Sequence, residues 1–190
     1  MKTAYKVSMK PAKKLDDLQR LAKLSPEGDW VELGVYKGGS ALLLSKLKGD
    51  RVLYLADSFE GLPEPGDNDT KPDGSKKKKG DITGTLEEVQ ELLKDETNIV
   101  YIKGWIVDDV RYFAQFPEEI TLMHVDVDYE QPYRDTLKHL YPRMKKGSII
   151  VFDDYGHFKG AKMAVDDFIA ETGEELHITE GTSQAYVIVK

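Results

Sequence analysis

The amino-acid sequence predicts an α/β fold with a mostly parallel, seven-stranded sheet, helices on both faces and a C-terminal antiparallel hairpin. Short apolar segments alternate with amphipathic, helix-length segments from residue 29 to residue 169. Such alternation is typical of parallel sheets, whose crossover connections place helices over both faces. Two apolar segments that flank Gly181 then predict a hairpin, which adds antiparallel strands to that sheet.

The overall composition favours one soluble domain spanning residues 1–190. The chain is 40% hydrophobic and 32% charged, has no cysteine and carries a net charge of −7. The lack of cysteine excludes disulfides and thiolate chemistry, and the negative charge argues against nucleic acid or an anionic membrane as the main partner. No apolar run approaches the ~20 residues that span a bilayer, and the start has no apolar leader, so we expect a cytoplasmic protein.

The first elements follow from apolar residues spaced for helices and strands. Residues 1–28 are expected to form an N-terminal helical segment, because Leu15, Leu18 and Leu21 share one helix face. The predicted elements that follow are a strand over residues 29–34, a helix over 40–48 and a strand over 52–56.

Residues 58–83 form a polar segment that contains Pro63, Pro65 and Pro72. It is too long for an ordinary connection between two elements of a small domain. We therefore expect a functional or mobile loop, and it is a candidate lid.

The remaining elements show the same alternation. The predicted helices carry apolar residues at spacings of three and four, and the predicted strands are short apolar runs. In order, these are a helix over residues 86–93, strands over 99–102 and 120–125, a helix over 133–144, a strand over 148–152, a helix over 161–169, and hairpin strands over 176–179 and 185–189.

Two acidic clusters follow the fourth and fifth predicted strands. Asp126 and Asp128 come after one strand, and Asp153 and Asp154 come directly after the next. The carboxyl ends of parallel strands meet at one edge of the sheet, where each close pair of carboxylates repels by roughly 4 kcal/mol at an effective dielectric near 20. Protons, basic partners or a divalent cation could neutralise them. Oxygen ligands favour Mg²⁺, Ca²⁺ or Mn²⁺ over zinc, so the strand ends predict a metal site.

The first strand ends in a glycine-rich turn that enters a helix. Its residues of interest are Glu32, Gly34, Tyr36, Gly38, Gly39 and Ser40. The glycines let the backbone turn sharply, and the helix start offers free N–H groups to a ligand. The dinucleotide fingerprint is absent, because Tyr36 stands where its second glycine would be. The carboxylate of Glu32 would also repel a pyrophosphate.

Asp57 ends the second strand, where a carboxylate can accept hydrogen bonds from ribose hydroxyls. Glu32 suits a cationic ligand. Adenosine that carries an amino acid and a sulfonium, in place of phosphates, fits both carboxylates. The turn therefore predicts S-adenosylmethionine.

Five segments together resemble class I methyltransferases, and more narrowly the macrocin O-methyltransferase family. They are residues 32–40, 56–63, 103–105, 124–129 and 152–156. The resemblance covers roughly residues 30 to 170, and its most specific segments are 57–63 and 153–156. It implies a Rossmann-like class I methyltransferase fold, S-adenosylmethionine at the first turn, and Mg²⁺ at the strand-end aspartates. It also implies an enzyme that methylates a hydroxyl of a small molecule, often on a sugar of a secondary metabolite.

The resemblance also implies a set of site residues. The cofactor would contact Glu32, Gly34, Gly38, Gly39, Ser40, Asp57, Ser58 and Asp126, with Gly104 and Trp105 beside its adenine. Mg²⁺ would bind Asp126, Asp153 and Asp154, and Asp126 or Asp128 would be the general base. The family usually has glycine where this chain has Val127, and that side chain is expected to restrict the turn that aims Asp128. His124 is expected to be a core histidine bonded to a neighbour.

Several alternatives stay open at this point. A catechol-type phenol is the main rival to a sugar as the acceptor. The D-x-D pattern of Asp126 and Asp128 also occurs in metal-dependent glycosyltransferases, which would leave Asp153 and Asp154 unexplained. A non-catalytic module that binds S-adenosylmethionine is a third interpretation. The expected partner is a small-molecule hydroxyl acceptor, and assembly as a homodimer is left open.

Overall fold

In the computed structural model, which describes residues 2–190, seven strands form one sheet. They are β1 (Asp29–Leu33), β2 (Leu53–Asp57), β3 (Ile99–Lys103), β4 (Ile120–Val125), β5 (Met144–Phe152), β6 (His177–Ile178) and β7 (Ala185–Ile188). Their order across the sheet is β3-β2-β1-β4-β5-β7-β6. Strands β1 to β5 pair in parallel, and β7 runs antiparallel to β5 and β6. The predicted mostly parallel sheet with a C-terminal hairpin is confirmed.

Seven helices accompany this sheet over the described residues. They are α1 (Lys2–Val7), α2 (Ala12–Leu24), α3 (Gly39–Leu47), α4 (Leu86–Leu92), α5 (Val110–Phe113), α6 (Glu130–Leu140) and α7 (Lys159–Thr172). Within residues 2–190, no helix is both long and apolar enough to cross a membrane.

The helices bury the two faces of the sheet in two apolar clusters. On one face Leu33 and Val125 lie with Tyr133 of α6 and Val165 of α7, and all four are buried. On the other face the strands meet helices α2, α3 and α4, with Leu15, Leu43, Leu55, Val89 and Leu122 among the buried residues. Each such side chain contributes about 1.5–3 kcal/mol by leaving water. Burial on both faces explains why the central strands are continuous apolar runs.

Helix α6 differs from the sequence-based prediction at its end. A helix over residues 133–144 was expected, but α6 ends at Leu140 and a 3₁₀ turn covers Tyr141–Arg143. Pro142 has no backbone N–H to continue the helical ladder, which favours an end here. Met144 therefore opens strand β5, and this strand begins four residues earlier than expected.

Other differences lie in short elements. Helix α5 was not predicted, because four residues are too few for a helical period to show, and the expected N-terminal helical segment contains two helices, α1 and α2. The first hairpin strand covers only His177–Ile178 of the predicted residues 176–179.

The chain places β2 and β3 on one side of β1, and β4 and β5 on the other. The strand order therefore reverses between β1 and β4. Open α/β sheets bind their ligands at the carboxyl ends of the strands flanking such a reversal. In this protein those ends carry the glycine turn, Asp57 and both acidic clusters.

Candidate active site

A cavity of about 960 Å³ opens at the carboxyl ends of the central strands. This volume is at the upper end of the range for small-molecule sites, roughly 300–1,000 Å³. It is bordered by ten of the predicted site residues, namely Gly34, Ser40, Asp57, Ser58, Gly104, Trp105, Asp126, Asp128, Asp153 and Asp154. The predicted cofactor and metal residues thus share one cavity. Three other predicted cofactor residues, Glu32, Gly38 and Gly39, do not border it.

Gly34 brings the ends of β1 and β4 together. Its φ is +86°, and a Cβ at this position would overlap the backbone oxygen of Asp126. The N–H of Asp126 donates to the carbonyl of Leu33 at 2.9 Å, so both strands stay paired up to the turn. Only glycine combines this backbone angle with this approach, and the first acidic cluster therefore lies beside the turn.

Asp57 joins the end of β2 to the same turn. Its Oδ2 accepts hydrogen bonds from the N–H groups of Val35 and Tyr36 at 2.7 and 2.9 Å, and its Oδ1 accepts from Phe59 N–H at 2.8 Å. A carboxylate offers about four acceptor sites. Ser58 Oγ donates the fourth and longest bond, to Oδ1 at 3.5 Å, so Asp57 shapes the turn while one of its acceptor sites is only weakly used.

Glu32 lies beneath the cavity instead of on its wall. Its side chain is fully buried, and Oε1 lies 2.9 Å from Nδ1 of His124 on the neighbouring strand β4. The other ring nitrogen of His124 is 3.5 Å from Oδ1 of Asp153. The prediction of a core histidine bonded to a neighbour is confirmed, and direct contact between Glu32 and the cofactor stays a prediction.

The carboxylates of Glu32 and Asp153 also set the charge of His124. Burial lowers the pKa of this imidazole, but hydrogen bonding to Asp153 and Glu32 outweighs burial and raises the pKa to about 9. A cationic histidine thus lies between Glu32 and Asp153, and it links strand β1 to the second acidic cluster.

Asp126, Asp153 and Asp154 form the predicted metal constellation. Each can offer one carboxylate oxygen, and these oxygens all lie within 4.8 Å of one another. The side chain of Asp126 is 20% exposed, whereas those of Asp153 and Asp154 are buried. An all-oxygen donor set of this size fits Mg²⁺ or a similar hard cation.

Two lysines for which no role was predicted, Lys10 and Lys14, approach these carboxylates. Lys14 of α2 donates to Oδ2 of Asp153 at 2.6 Å, and to its backbone oxygen at 2.8 Å. Lys10, between α1 and α2, pairs with Asp126 and lies 3.3 Å from Oδ2 of Asp153. Lys14 shares a helix face with Leu18 and Leu21, which was a weak signal for burial. No local pattern marks Lys10.

The four strand-end carboxyls hold different charges. Burial raises the pKa of Asp153, but Lys10, His124 and Lys14 outweigh it and hold that pKa well below its ordinary value. Burial and the charges of Asp126 and Asp153 raise the pKa of Asp154 to about 7. Asp153 is therefore ionised, whereas Asp154 exchanges a proton near neutral pH.

Asp128 makes the turn that was expected to need glycine at position 127. Its own φ is +60°, a left-handed angle that aspartate tolerates better than most residues. Val127 instead packs into the core and is 8% exposed. The N–H of Asp128 donates to Oδ2 of Asp154 at 3.0 Å, so the turn is held from the neighbouring cluster.

Tyr133 of α6 supports the same carboxylate from below. Its hydroxyl lies 2.8 Å from the carbonyl oxygen of Val125 and 3.2 Å from Oδ2 of Asp154. From its spacing in the sequence, Tyr133 is predicted only on the apolar face of a helix. Its ring fills the core, while its hydroxyl positions Asp154.

The loop over residues 58–83 forms part of the cavity wall. Leu62, Pro63, Lys71 and Lys77 border the cavity. Asp69 holds the loop, because Oδ1 accepts from the N–H of Glu130 at 2.8 Å at the start of α6. Its Oδ2 accepts from Gly66 N–H at 2.7 Å. The loop is thus tied to the sheet edge, and its role as a lid stays a prediction.

Three curated relatives are similar to this chain in sequence. Demethyldecarbamoylnovobiocin O-methyltransferase of Streptomyces niveus is 27% identical over 76% of this chain. A tetracenomycin-C 4'-O-methyltransferase of Streptomyces olivaceus, acting on a dimethoxyrhamnosyl derivative by its name, is 29% identical over 88% of the chain. Mycinamicin III 3''-O-methyltransferase of Micromonospora griseorubida is 30% identical over 75% of the chain. The chain covers 59%, 69% and 63% of these relatives, respectively.

Solved structures share the fold. The O-methyltransferase NovP superposes with a TM-score of 0.82 at 24% identity, covering 97% of this chain and 82% of NovP. The calicheamicin methyltransferase CalS11 superposes with a TM-score of 0.75 at 24% identity, covering 92% of this chain and 77% of CalS11. The predicted class I methyltransferase fold is therefore confirmed.

The family model of the macrocin O-methyltransferases matches residues 4–183, nearly the whole chain. This match covers the glycine turn, both acidic clusters and the loop between β2 and α4. Together with the fold and the curated relatives, it shows that this chain belongs to the macrocin O-methyltransferase family of S-adenosylmethionine-dependent methyltransferases.

Proposed function

We propose that this protein transfers a methyl group from S-adenosylmethionine to a hydroxyl of a small molecule, a sugar of a secondary metabolite, with the help of Mg²⁺. One observation carries the proposal: the glycine turn with Asp57 and the four strand-end carboxyls border the same cavity. A methyl donor and a coordinated hydroxyl could therefore meet there. The names of two relatives specify methylation at a sugar-type position, 4' and 3'', which supports the choice of acceptor.

The cofactor would lie against the turn after β1 and the end of β2. All five proposed contact residues border the cavity: Gly34 and Ser40 would contact its amino acid part, Asp57 and Ser58 its ribose, and Trp105 its adenine. Its sulfonium supplies an activated methyl group. The protein contributes positioning, which can lower the barrier of such a transfer by roughly 7–11 kcal/mol.

A divalent cation would be held by Asp126, Asp153 and Asp154. The carboxylate oxygens of these three residues lie within 4.8 Å of one another and border the cavity, and an all-oxygen donor set of this kind fits a hard cation. Such a cation polarises the acceptor hydroxyl and fixes its position.

Asp128 is our choice for the general base. It borders the cavity and makes no ion pair with residues 3–190, whereas Asp126 is paired with Lys10. Burial, with the charges of Asp154 and Asp126, raises the pKa of Asp128 well above its ordinary value. A positive charge at the neighbouring carboxylates would reduce that repulsion and bring Asp128 closer to the pKa of an efficient base near neutral pH.

Calorimetric titration tests whether the protein binds S-adenosylmethionine. S-adenosylmethionine and S-adenosylhomocysteine are titrated into the protein with Mg²⁺, and again with chelator. We expect micromolar binding of both molecules. Absence of binding under both conditions would overturn the methyltransferase proposal.

Mass spectrometry tests whether the protein transfers the methyl group to a sugar hydroxyl and needs Mg²⁺ to do so. Glycosides and catechols are incubated with the protein and S-adenosylmethionine, because both classes present a hydroxyl that a metal could coordinate. We expect transfer to glycosides that chelator abolishes. Asp153→Asn should abolish the Mg²⁺-dependent transfer, whereas Asp67→Asn, an exposed loop change, should behave as the wild type. Transfer to catechols alone would replace the sugar acceptor, and transfer unaffected by chelator would remove the metal from the proposal.

A further inference from the structure

The side chain of Lys10 lies among the carboxylates proposed to bind metal. It is only 11% exposed, and its Nζ is paired with Oδ2 of Asp126 and lies 3.3 Å from Oδ2 of Asp153. Lys10 thus bridges two of the three candidate ligands. It comes from a part of the chain 116 residues away from Asp126.

Lys14 has a different relation to the same site. Its Nζ donates to the side chain and to the backbone oxygen of Asp153, so it anchors helix α2 to the end of β5. Lys10 instead lies in segment 8–11, which connects α1 to α2 and forms neither helix nor strand. Lys10 can therefore leave the carboxylates without unwinding a helix, whereas Lys14 is fixed by α2.

An ammonium and a divalent cation cannot both occupy this position. Mg²⁺ lies about 2.0–2.1 Å from its ligand oxygens. An ion held by Asp126 and Asp153 together would fall close to the place of the Lys10 Nζ, and the two positive charges would repel in a partly buried site. One of the two must leave.

Segment 8–11 also covers the cofactor turn. Ser8, Met9, Lys10 and Pro11 all border the cavity. Ser8 packs so closely on the start of α3 that a Cβ added at Gly39 would lie 2.5 Å from its Cα. Movement of Lys10 would therefore move the segment that lies over the turn where the cofactor is proposed to bind.

We propose that Lys10 and a divalent cation are alternative occupants of the Asp126–Asp153 pair, and that cation binding releases segment 8–11 from the cavity. This inference rests on the metal part of the proposed function. Without the cation, Lys10 neutralises the carboxylates and holds the segment over the turn. With it, the segment is free to move. The two processes are linked: closure of segment 8–11 over the cavity weakens cation binding, and cation binding weakens that closure by the same free energy.

Titration of Mg²⁺ and Mn²⁺ into three purified proteins tests this competition. They are the wild type, Lys10→Met, which keeps the length of the side chain without its charge, and the control Lys13→Met. Lys13 is exposed in the same part of the chain and has no ion pair in residues 2–190. We expect Lys10→Met to bind the cation at least tenfold more tightly than the wild type, and Lys13→Met to match the wild type.

Thermal unfolding separates competition from a merely structural role. In chelator, Lys10→Met should unfold at a lower temperature than the wild type, because its carboxylates lose their counter-ion. Saturating Mg²⁺ should remove that difference, whereas a lysine needed only for packing would leave the variant less stable in both conditions. Amide hydrogen exchange at residues 8–10 of the wild type should also accelerate when Mg²⁺ is added.

The outcomes distinguish this inference from the proposed function. Equal cation affinity in the wild type and Lys10→Met would overturn the competition and leave the metal site standing. Absence of cation binding in both proteins would overturn the competition together with the metal part of the proposed function. Binding of S-adenosylmethionine, measured separately on the same proteins, reports on the methyltransferase assignment in either case.

Discussion

At the scale of single residues, backbone angles decide where the carboxyls of this site lie. Asp128 takes a left-handed φ of +60°, so Val127 can fill the core without blocking the turn. Gly34 takes a φ of +86° directly beside the backbone of Asp126. Both positions lie at the ends of buried strands, where a small change in direction moves a side chain into or out of the cavity.

Gly34→Ala should destabilise the protein severely. The substitution adds the cost of a left-handed alanine, about 1–2 kcal/mol, to a collision with Asp126 that only movement of β1 or β4 can relieve. We expect a loss above about 4 kcal/mol in the free energy of unfolding, measured with urea. Gly74→Ala is the matched control, because Gly74 has a φ of +80° but no atom within 4 Å of its added Cβ. Similar losses in both variants would show that close approach at Gly34 contributes little.

Asp128→Asn should remove the general base while keeping the turn. Asparagine tolerates the left-handed angle and retains the backbone N–H that donates to Asp154. We expect kcat to fall by about 10²–10⁴, with binding of S-adenosylmethionine unchanged in calorimetry. Full activity of the folded variant would assign the proton transfer to another group.

At the scale of elements, the connections place the site more than the helices and strands do. The long segment between β2 and α4 contributes several residues to the cavity wall and ends in a capping box, in which Thr85 and Glu88 bond each other's backbone N–H groups. This cap fixes the start of α4, and Asp69 fixes the middle of the segment against α6. The segment is therefore anchored at defined points although it has no regular structure.

Asp69→Ala should loosen this loop more than it destabilises the fold. The change removes acceptors for two backbone N–H groups, each worth about 1 kcal/mol. We expect faster amide hydrogen exchange over residues 64–80 and a raised KM for the acceptor. Asp73→Ala, whose carboxylate bonds only Ser75 within the loop, should leave both unchanged. Unchanged exchange in Asp69→Ala would mean that other contacts hold the loop.

At the scale of the whole molecule, buried charges connect the sheet to the cavity. Glu32, His124 and Asp153 extend from β1 through β4 to the end of β5, and Lys14 ties α2 to the same point. Strands and helices that are far apart along the chain therefore share one electrostatic network. Cytoplasmic location and assembly as a homodimer stay predictions at this scale.

With chelator present, so that no cation neutralises the carboxylates, this network predicts that the free energy of unfolding depends on pH. The pKa of His124 is about 9 in the folded protein and about 6.5 in an unfolded chain. Its stabilising contribution is therefore complete below about pH 6.5 and is lost as the pH rises through 9. The loss is on the order of 3 kcal/mol, from the shift in pKa. Urea unfolding from pH 6.5 to 9.5 measures it.

His124→Gln provides the control for this titration. The glutamine can still hydrogen-bond but carries no titrating charge, so its stability should change much less over the same interval. Asp154, with a pKa raised to about 7, acts mainly below this interval and is common to both proteins. Parallel pH profiles of the wild type and His124→Gln would exclude a stabilising charge on His124.

The fold class, the order of the strands and longer helices, and ten residues of the cavity wall follow from the sequence alone. Its apolar runs are short and regular, and a carboxylate or glycine that directly follows a strand must lie at the edge of the sheet. That local rule located Gly34, Asp57, Asp126, Asp153 and Asp154 correctly at one cavity. The spacing of apolar residues placed the end of α6 wrongly, because it continues through the 3₁₀ turn that follows.

The partners of these carboxyls follow from tertiary packing and not from any local pattern. The pairs of Lys10 with Asp126, Lys14 with Asp153 and Glu32 with His124 join residues 116, 139 and 92 positions apart. No local pattern encodes such contacts, because they depend on how helices and strands pack after each has formed. The charges of the site, and the place of an ammonium among its candidate metal ligands, follow from that packing.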